Sequence, residues 1–427
     1  MAQFSPLDWF KKQTKQASCQ TALSENPSLE AAVRETAETL ASKTPADLAL
    51  VFASTHYASD LPRLLPLLRQ QLSAQHWLGC AGGGVIGTSR KGNPFELEQT
   101  PALSVTLLTL PGVVLQPFAV DTQSLPDLDN AAQHWQEWVG ADPTQTRSLL
   151  LLVDPTSPSI NDLISGLDYA YPCAATLGGI AGPHNAPHGS LLFDDRVLMG
   201  AVGCAIGGEW NLEAVVAQGC KPIGPVFAIE QVQKNVVIEL SHGDTKDSPV
   251  ACLQRVLADL SDEEREMVKH SLFIGIERRD LVGNIGTSPQ SQGAFLVRNL
   301  IGVDPSNGAV AVADRVRPGQ NVQFLLREPQ ASREEASQLL EASRERNPSK
   351  AIFGLLMACL GRGSGLYGVP NGDVAIARDV MSDLPIAGVF CNGEIGPVGG
   401  STHLHGYTAC WGLLRHDPSP KNSSSTN

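Results

Sequence analysis

The sequence predicts an α/β protein: two modules built from repeated helix-strand-helix-strand-strand units, forming mixed β-sheets flanked by helices. Three observations carry that prediction. Amphipathic helical stretches alternate with short apolar runs of strand length. The alternation recurs three times, with about fifty residues between the first and closing strands of each copy. In each copy a glycine-rich strand takes the same place.

In the first copy, Leu29, Val33, Ala37 and Leu40 share a helical face behind the start signal Asn26-Pro27-Ser28, which predicts a helix over 29–40. A strand over 48–53 and a helical run over 60–72 follow. Leu78-Gly79-Cys80-Ala81-Gly82-Gly83-Gly84-Val85-Ile86-Gly87 is the glycine-rich strand, and 102–110 closes the copy. The second copy reads as a helix over 130–138, a strand over 149–153 and a helix over 160–169. Leu177-Gly178-Gly179-Ile180-Ala181-Gly182 then takes the glycine-rich place, and 197–206 is the closing strand. The third has a helix over 332–344, a strand over 351–360, a helical run over 374–381, and closes on 404–413.

The segment 249–328 reads as a looser relative. A helix over 251–260, extended by the acidic run to Lys269, leads to strands over 272–276, 294–301, 309–313 and 322–326. Asp304-Pro305-Ser306-Asn307-Gly308 suits a hairpin turn. The predicted organisation is an N-terminal extension (1–28), a first module (29–225), a second module (226–416) and a compositionally disordered tail (417–427).

Composition narrows the function classes. The 427 residues are 42% hydrophobic, and no apolar run is long enough to span a bilayer as a helix. The net charge of −13, without a basic cluster, makes nucleic acid and anionic membrane surfaces poor partners. Nine cysteines lie scattered without a C-x-x-C pair, which points to a reducing, cytoplasmic compartment. The N-terminal MAQFSPLDWFKKQTKQ lacks the apolar core of a secretory signal, and its start, with Pro6 and the acidic Asp8, argues weakly against a transit peptide.

The polar chemistry concentrates between Ala387 and Thr408. An apolar run ending at Phe390 breaks into Cys391-Asn392-Gly393-Glu394, and the next run opens with His403, His405 and Tyr407. Strand ends of this kind would deliver Asn392, Glu394, His405 and Tyr407 to one small region. Arg362 lies in a Gly-Arg-Gly turn after a buried strand, where Gly363 lets backbone approach a ligand. Its guanidinium could hold a carboxylate through two parallel hydrogen bonds while Glu394 takes an ammonium group. The alternative is that both are structural ions, paired with each other or with backbone. His403 and His405 face one side of a strand and could ligate a metal with Cys391 or Glu394, although H-x-H pairs are common without one. A Cys391–His405 nucleophilic pair is also conceivable. Gly82-Gly83-Gly84 lacks the lysine and acidic partners of a phosphate or dinucleotide cradle. Gly178, Gly179 and His184 hold the equivalent place in the second copy and could line a related cleft.

These residues resemble the FIST family, named for F-box and intracellular signal transduction proteins. The N-terminal module is similar in residues 78–87 and in Pro101-Ala102-Leu103-Ser104-Val105. The C-terminal module is similar in Gly361-Arg362-Gly363, in the block 387–397 containing Asn392-Gly393-Glu394-Ile395-Gly396-Pro397, and in His405-Gly406-Tyr407-Thr408. The resemblance spans roughly 30–415. It implies a sensory module that binds a small ligand, an amino acid for instance, and works beside signalling proteins. Fewer than thirty residues precede the first module, too few for an F-box. The expectation is therefore a small-ligand-binding signal-transduction protein. Its ligand-binding residues would be Arg362, Gly363, Asn392, Gly393, Glu394, His405 and Tyr407, with no catalytic residue, metal or cofactor. A protein-interaction adaptor without a ligand and a Cys/His-dependent enzyme are the alternatives.

Overall fold

The computed structural model describes residues 16–40, 44–278 and 294–418. Most of the predicted tail, and residues 1–15 of the predicted extension, lie outside them. Each apolar strand is followed by a helix that must cover its outer face, and this repeats three times. The first unit runs β1 (Ser18–Ser24), α1 (Leu29–Thr39), β2 (Ala46–Ser54), α2 (Leu61–Arg69), β3 (Ala74–Gly82), β4 (Gly84–Thr88), β5 (Pro94–Glu98) and β6 (Leu103–Thr109). The second has the same order: β7 (Val113–Val120), α3 (Ala132–Val139), β8 (Thr146–Val153), α4 (Ile160–Ala170), β9 (Ala175–Ile180), β10 (Leu191–Phe193), β11 (Arg196–Leu198) and β12 (Ala201–Gly208).

The third unit is interrupted after its first strand, β13 (Trp210–Ala217). The interruption comprises β14 (Cys220–Gln233), β15 (Val236–His242), β16 (Thr245–Asp247), α5 (Pro249–Ala258), α6 (Asp262–Ser271), β17 (Leu272–Arg278), β18 (Ala294–Val303), β19 (Val310–Val312) and β20 (Asn321–Arg327). The unit then resumes with α7 (Pro329–Arg346), β21 (Ala351–Cys359), the single turn α8 (Ser364–Tyr367), α9 (Gly372–Val380) and β22 (Ile386–Cys391). It ends with β23 (Glu394–Val398), β24 (Ser401–His405) and β25 (Ala409–His416).

The interruption is an antiparallel sheet in the order β14-β20-β17-β18-β19-β15-β16, closed into a barrel by pairing of β14 with β15. This corrects the reading of 249–328 as a looser relative of the unit. Its strands meet antiparallel neighbours throughout, so none needs the crossover helix that a parallel pair requires. The helix predicted to run on to Lys269 is two helices. Ser261 starts α6 with a capping box, its side chain and that of Glu264 each bonding the other's backbone N–H.

The three units exchange hairpins in a ring. The three mixed sheets are β1-β6-β2-β3-β10-β11, β24-β23-β9-β8-β12-β7 and β13-β25-β21-β22-β4-β5. The second unit therefore lends β10–β11 to the first, the third lends β23–β24 to the second, and the first lends β4–β5 to the third. The predicted module division at 225/226 falls inside β14, and β13 before it pairs with β25 beyond it. Where the glycine-rich strands end, the units join through three equivalent backbone hydrogen bonds. Gly83 N–H donates to Phe390 O (3.1 Å), Gly182 N–H to Ala81 O (2.9 Å) and Asn392 N–H to Ile180 O (2.9 Å).

The glycines have a steric reason as well. A Cβ on Gly79, Gly178 or Gly388 would lie 1.7, 1.6 or 1.8 Å from the carbonyl oxygen of Val51, Leu151 or Leu356, the residues opposite on β2, β8 and β21. Alternate side chains of these strands serve two cores. Leu48, Leu50 and Phe52 join Leu150, Leu152, Leu355 and Met357 in a core shared by all three sheets. Ala49, Val51 and Ala53 face α1 and α2 instead.

Candidate functional site

The hairpin β23–β24 is built by a two-residue turn, Gly399-Gly400, with φ of 60° and 79° between the paired Val398 and Ser401. Two successive positive φ values suit glycine and match the twist of a hairpin. Seated against β9, the hairpin carries His403 and His405 to the wall of a cavity of about 860 Å³. The barrel supplies the facing wall through Arg278, Arg298, Asn299 and Asp314, and the first turn of α4 supplies the rim.

His405 is 4% exposed. Its Nε2 is 2.9 Å from the carbonyl of Gly396, which fixes the proton on Nε2, and Nδ1 has no partner. Burial, reinforced by the nearby Arg298 charge, lowers its pKa to about 3. His403 is similar: Nε2 is unpartnered, and burial plus Arg278 and Arg298 lower its pKa to about 4. Both rings are thus neutral at neutral pH and present bare acceptor nitrogens.

The donors are arginines. Arg278 Nη2 and Arg298 Nε both reach the same oxygen of Asp314, at 2.6 and 2.8 Å. Two cations share one carboxylate, and Arg278 Nε is buried without a partner. Burial acts to lower the Arg298 pKa while Asp314 opposes it. Overall the cavity carries Arg278, Arg298 and Arg315 against Asp162 and Asp314. A pocket with unpaired donors, bare acceptors and a surplus of positive charge is suited to a small polar solute bearing an acidic group.

The sequence-predicted residues are placed differently. Arg362 is fully buried and holds Asp373 through two parallel hydrogen bonds, Nε–Oδ2 at 2.8 Å and Nη2–Oδ1 at 2.7 Å. Its Nη2 also donates to Ser332 Oγ (2.8 Å) and Tyr367 Oη (2.6 Å), and Nη1 to Tyr407 O (3.2 Å). Burial would lower the Arg362 pKa, but Asp373 more than offsets it and the net shift is upward. The anticipated carboxylate clamp is therefore occupied by the protein's own Asp373. Gly363 starts α8 with φ of 56°, and a Cβ there would strike Glu98.

Glu394 is buried at the root of β23, where Oε2 accepts from Thr408 N–H (3.1 Å) and Oε1 has no partner. Burial raises its pKa to about 8. Asn392 is exposed, Gly393 is buried against Leu404 and Ile180, and Tyr407 packs edge-on to Phe273 under Arg327. Of the seven predicted residues, His405 lines the cavity. Arg278, Arg298 and Asp314 were not anticipated. The available signal was Arg298 interrupting an apolar strand run, Ala294 to Ile301, because a charge in such a run needs a partner.

The other sequence hypotheses resolve locally. The Cys391 thiol lies against Met357 Sδ (3.7 Å) and Val389 O (3.8 Å), and burial pushes its pKa well above the usual thiol value. His405 bonds Gly396 through Nε2 and has no partner at Nδ1, so the two do not form a hydrogen-bonded pair. Among the described residues, no group of three His, Cys, Asp or Glu side chains could hold a metal ion. His184 is bonded to the buried Asp154 (3.1 Å), which also accepts from the backbone N–H and hydroxyl of Ser190 and ties down that loop. No helix among the described residues is long and apolar enough to cross a membrane.

Comparison with known proteins matches the FIST N domain model to residues 47–243 and the FIST C domain model to residues 249–397. An uncharacterized protein of Mycobacterium tuberculosis is 31% identical over 379 residues, covering 88% of this chain and 93% of its own length. Another, of Mycobacterium bovis, is 28% identical over 380 residues, covering 88% and 92%.

Proposed function

Because the chain belongs to the FIST family, whose domains are in general sensory and signal-transduction domains, we propose that it senses a small polar metabolite bound in the cavity between β24, α4 and the barrel. An amino acid is the simplest molecule that offers both an acidic group for the arginines and an N–H donor for the imidazoles. The observation that carries this reading is the set of unpartnered atoms around one hollow: His405 Nδ1, His403 Nε2 and Arg278 Nε.

Binding here would be read out through the barrel and the exchanged hairpin, which form opposite walls of the same cavity. A signalling protein that recognises their relative position is the expected partner. A thermal-shift screen over amino acids and related metabolites tests the reading. Compounds that stabilise the wild type and leave an Arg278→Gln, Arg298→Gln double variant unmoved support it. If no compound shifts the wild type beyond the double variant, the sensing reading falls. A stable protein partner insensitive to those substitutions would then favour an adaptor.

A further inference from the structure

The barrel wall of the cavity continues past its edge. A second hollow, of about 370 Å³, adjoins the first, and Arg278 and His403 line both. Arg317 lines this second hollow as Arg315 lines the first. The larger hollow, at about 860 Å³, already stands at the upper end of small-ligand pockets. A solute that reaches both is longer than the simplest amino acids.

Both outer arginines come from one short segment, Asp314-Arg315-Val316-Arg317. Val316 is buried in the barrel core, and the arginines on either side of it are exposed. The backbone is held along its length. Ala313 N–H donates to Asn299 O (3.0 Å), Arg315 N–H to Asp314 Oδ1 (2.7 Å) and Arg317 N–H to Gln320 Oε1 (2.6 Å). Two residues of chain set the Arg315 and Arg317 Cα atoms at most about 7 Å apart. Arg278, at the step between the hollows, is fixed from the hairpin side. Gly399 has φ of 60°, and a Cβ there would lie 3.0 Å from Arg278 Cβ, so the β23–β24 turn closes on the stem of that arginine.

Arg315 and Arg317 also differ from their neighbours in charge balance. Arg278 and Arg298 share Asp314. Among the described residues no carboxylate lies within ion-pair distance of Arg315 or Arg317, and neither guanidinium donates a hydrogen bond. Glu277, in the second hollow, accepts from Asn321 Nδ2 at 2.9 Å. A single unpaired arginine on a surface is ordinary. Here two stand in adjoining concavities, beside a third and a fourth that divide one acid between them.

From this arrangement we propose that the ligand carries two acidic groups joined by a short chain. One sits in the larger hollow against Arg298 and Arg315, the other in the smaller hollow against Arg317, with Arg278 between them. Carboxylates and phosphates both match the guanidinium fork. Dicarboxylates and phosphorylated carboxylic acids therefore make up the class, and an amino acid with a single acid fills only half the site. This rests on the sensing reading and names its ligand class.

Calorimetric titration of the full chain with five compounds tests it. Glutamate, glutarate or O-phosphoserine should bind at least about tenfold more tightly than glutamine and butyrate. A preference for the first two assigns a pair of carboxylates, and a preference for the third assigns a phosphate. Arg317→Gln should erase the advantage and leave the one-acid compounds unchanged, whereas Arg315→Gln should weaken all of them. Both variants should melt within about 2 °C of wild type, because neither side chain has a partner to lose. Equal binding of glutamate and glutamine, or an advantage that survives Arg317→Gln, overturns the assignment. The two readings fail differently. Metabolites that bind through Arg278 and Arg298 and ignore Arg317→Gln keep sensing and remove the second acidic group. A wild type that binds none of the five compounds, and nothing in the metabolite screen, removes both.

Discussion

Two arginine–aspartate clusters sit in this molecule, and they are opposites. Around Arg362 one guanidinium meets one aspartate in a two-pronged pair. Two hydroxyls and a backbone carbonyl take further N–H groups, and both charged side chains are fully buried. Around Asp314 two guanidinium groups compete for one oxygen, are partly exposed at 22% and 15%, and border an open cavity. The contrast lies in the count of acceptors per donor. A buried pair with every prong satisfied has nothing left to offer a solute.

The largest expected effect breaks the sealed cluster. Arg362→Ala strands Asp373 in a dry interior and should remove about 3–5 kcal/mol of stability, measured by urea unfolding. A loss below about 1 kcal/mol would mean that the pair is not structural. Titration should sharpen the contrast next. Glu394 keeps its proton in the folded state up to about pH 8, while the unfolded carboxyl ionises near its ordinary value of 4.5. Between those limits the native state binds more protons, so stability falls as pH rises through that window. Glu394→Gln should abolish this decline in a series of denaturation curves.

The histidine at the cavity works with the opposite sign. His405 ionises near pH 3 when folded and near 6.5 when unfolded, so the unfolded state binds more protons in between. Stability is therefore lost as pH falls from 6.5 toward 3, and His405→Gln should flatten that acid limb. The smallest effect belongs to the open cluster. Arg278→Gln with Arg298→Gln should change stability by only about 1 kcal/mol, because both groups are partly exposed and share one partner. A loss as large as that of Arg362→Ala would erase the distinction between the clusters.

Much of the local structure was legible. Ser28 before Leu29, the periodic apolar positions of α1 and the β-branched and leucine-rich runs at β2, β8 and β21 mark their elements directly, because cap chemistry and side-chain period act within a few residues. The polar turn after Phe390 was legible as well. Its geometry was not: Arg362, with no acid within ten residues on either side, finds Asp373 eleven residues on, across a short turn and a helix start. The short hairpins β4–β5, β10–β11 and β23–β24 were absorbed into their neighbours, since strands of three to five residues carry too little pattern to stand out.

By itself the sequence determined that three similar units would form, and that each would carry glycine within its second parallel strand. The close approach of Gly79, Gly178 and Gly388 to facing carbonyls leaves no room for any other side chain. Only the tertiary structure decided where each hairpin goes. The apolar alternation of β23 and β24 is satisfied equally by any sheet edge of the right length, so nothing local selects β9 as their neighbour. That choice sets His405 beside the barrel.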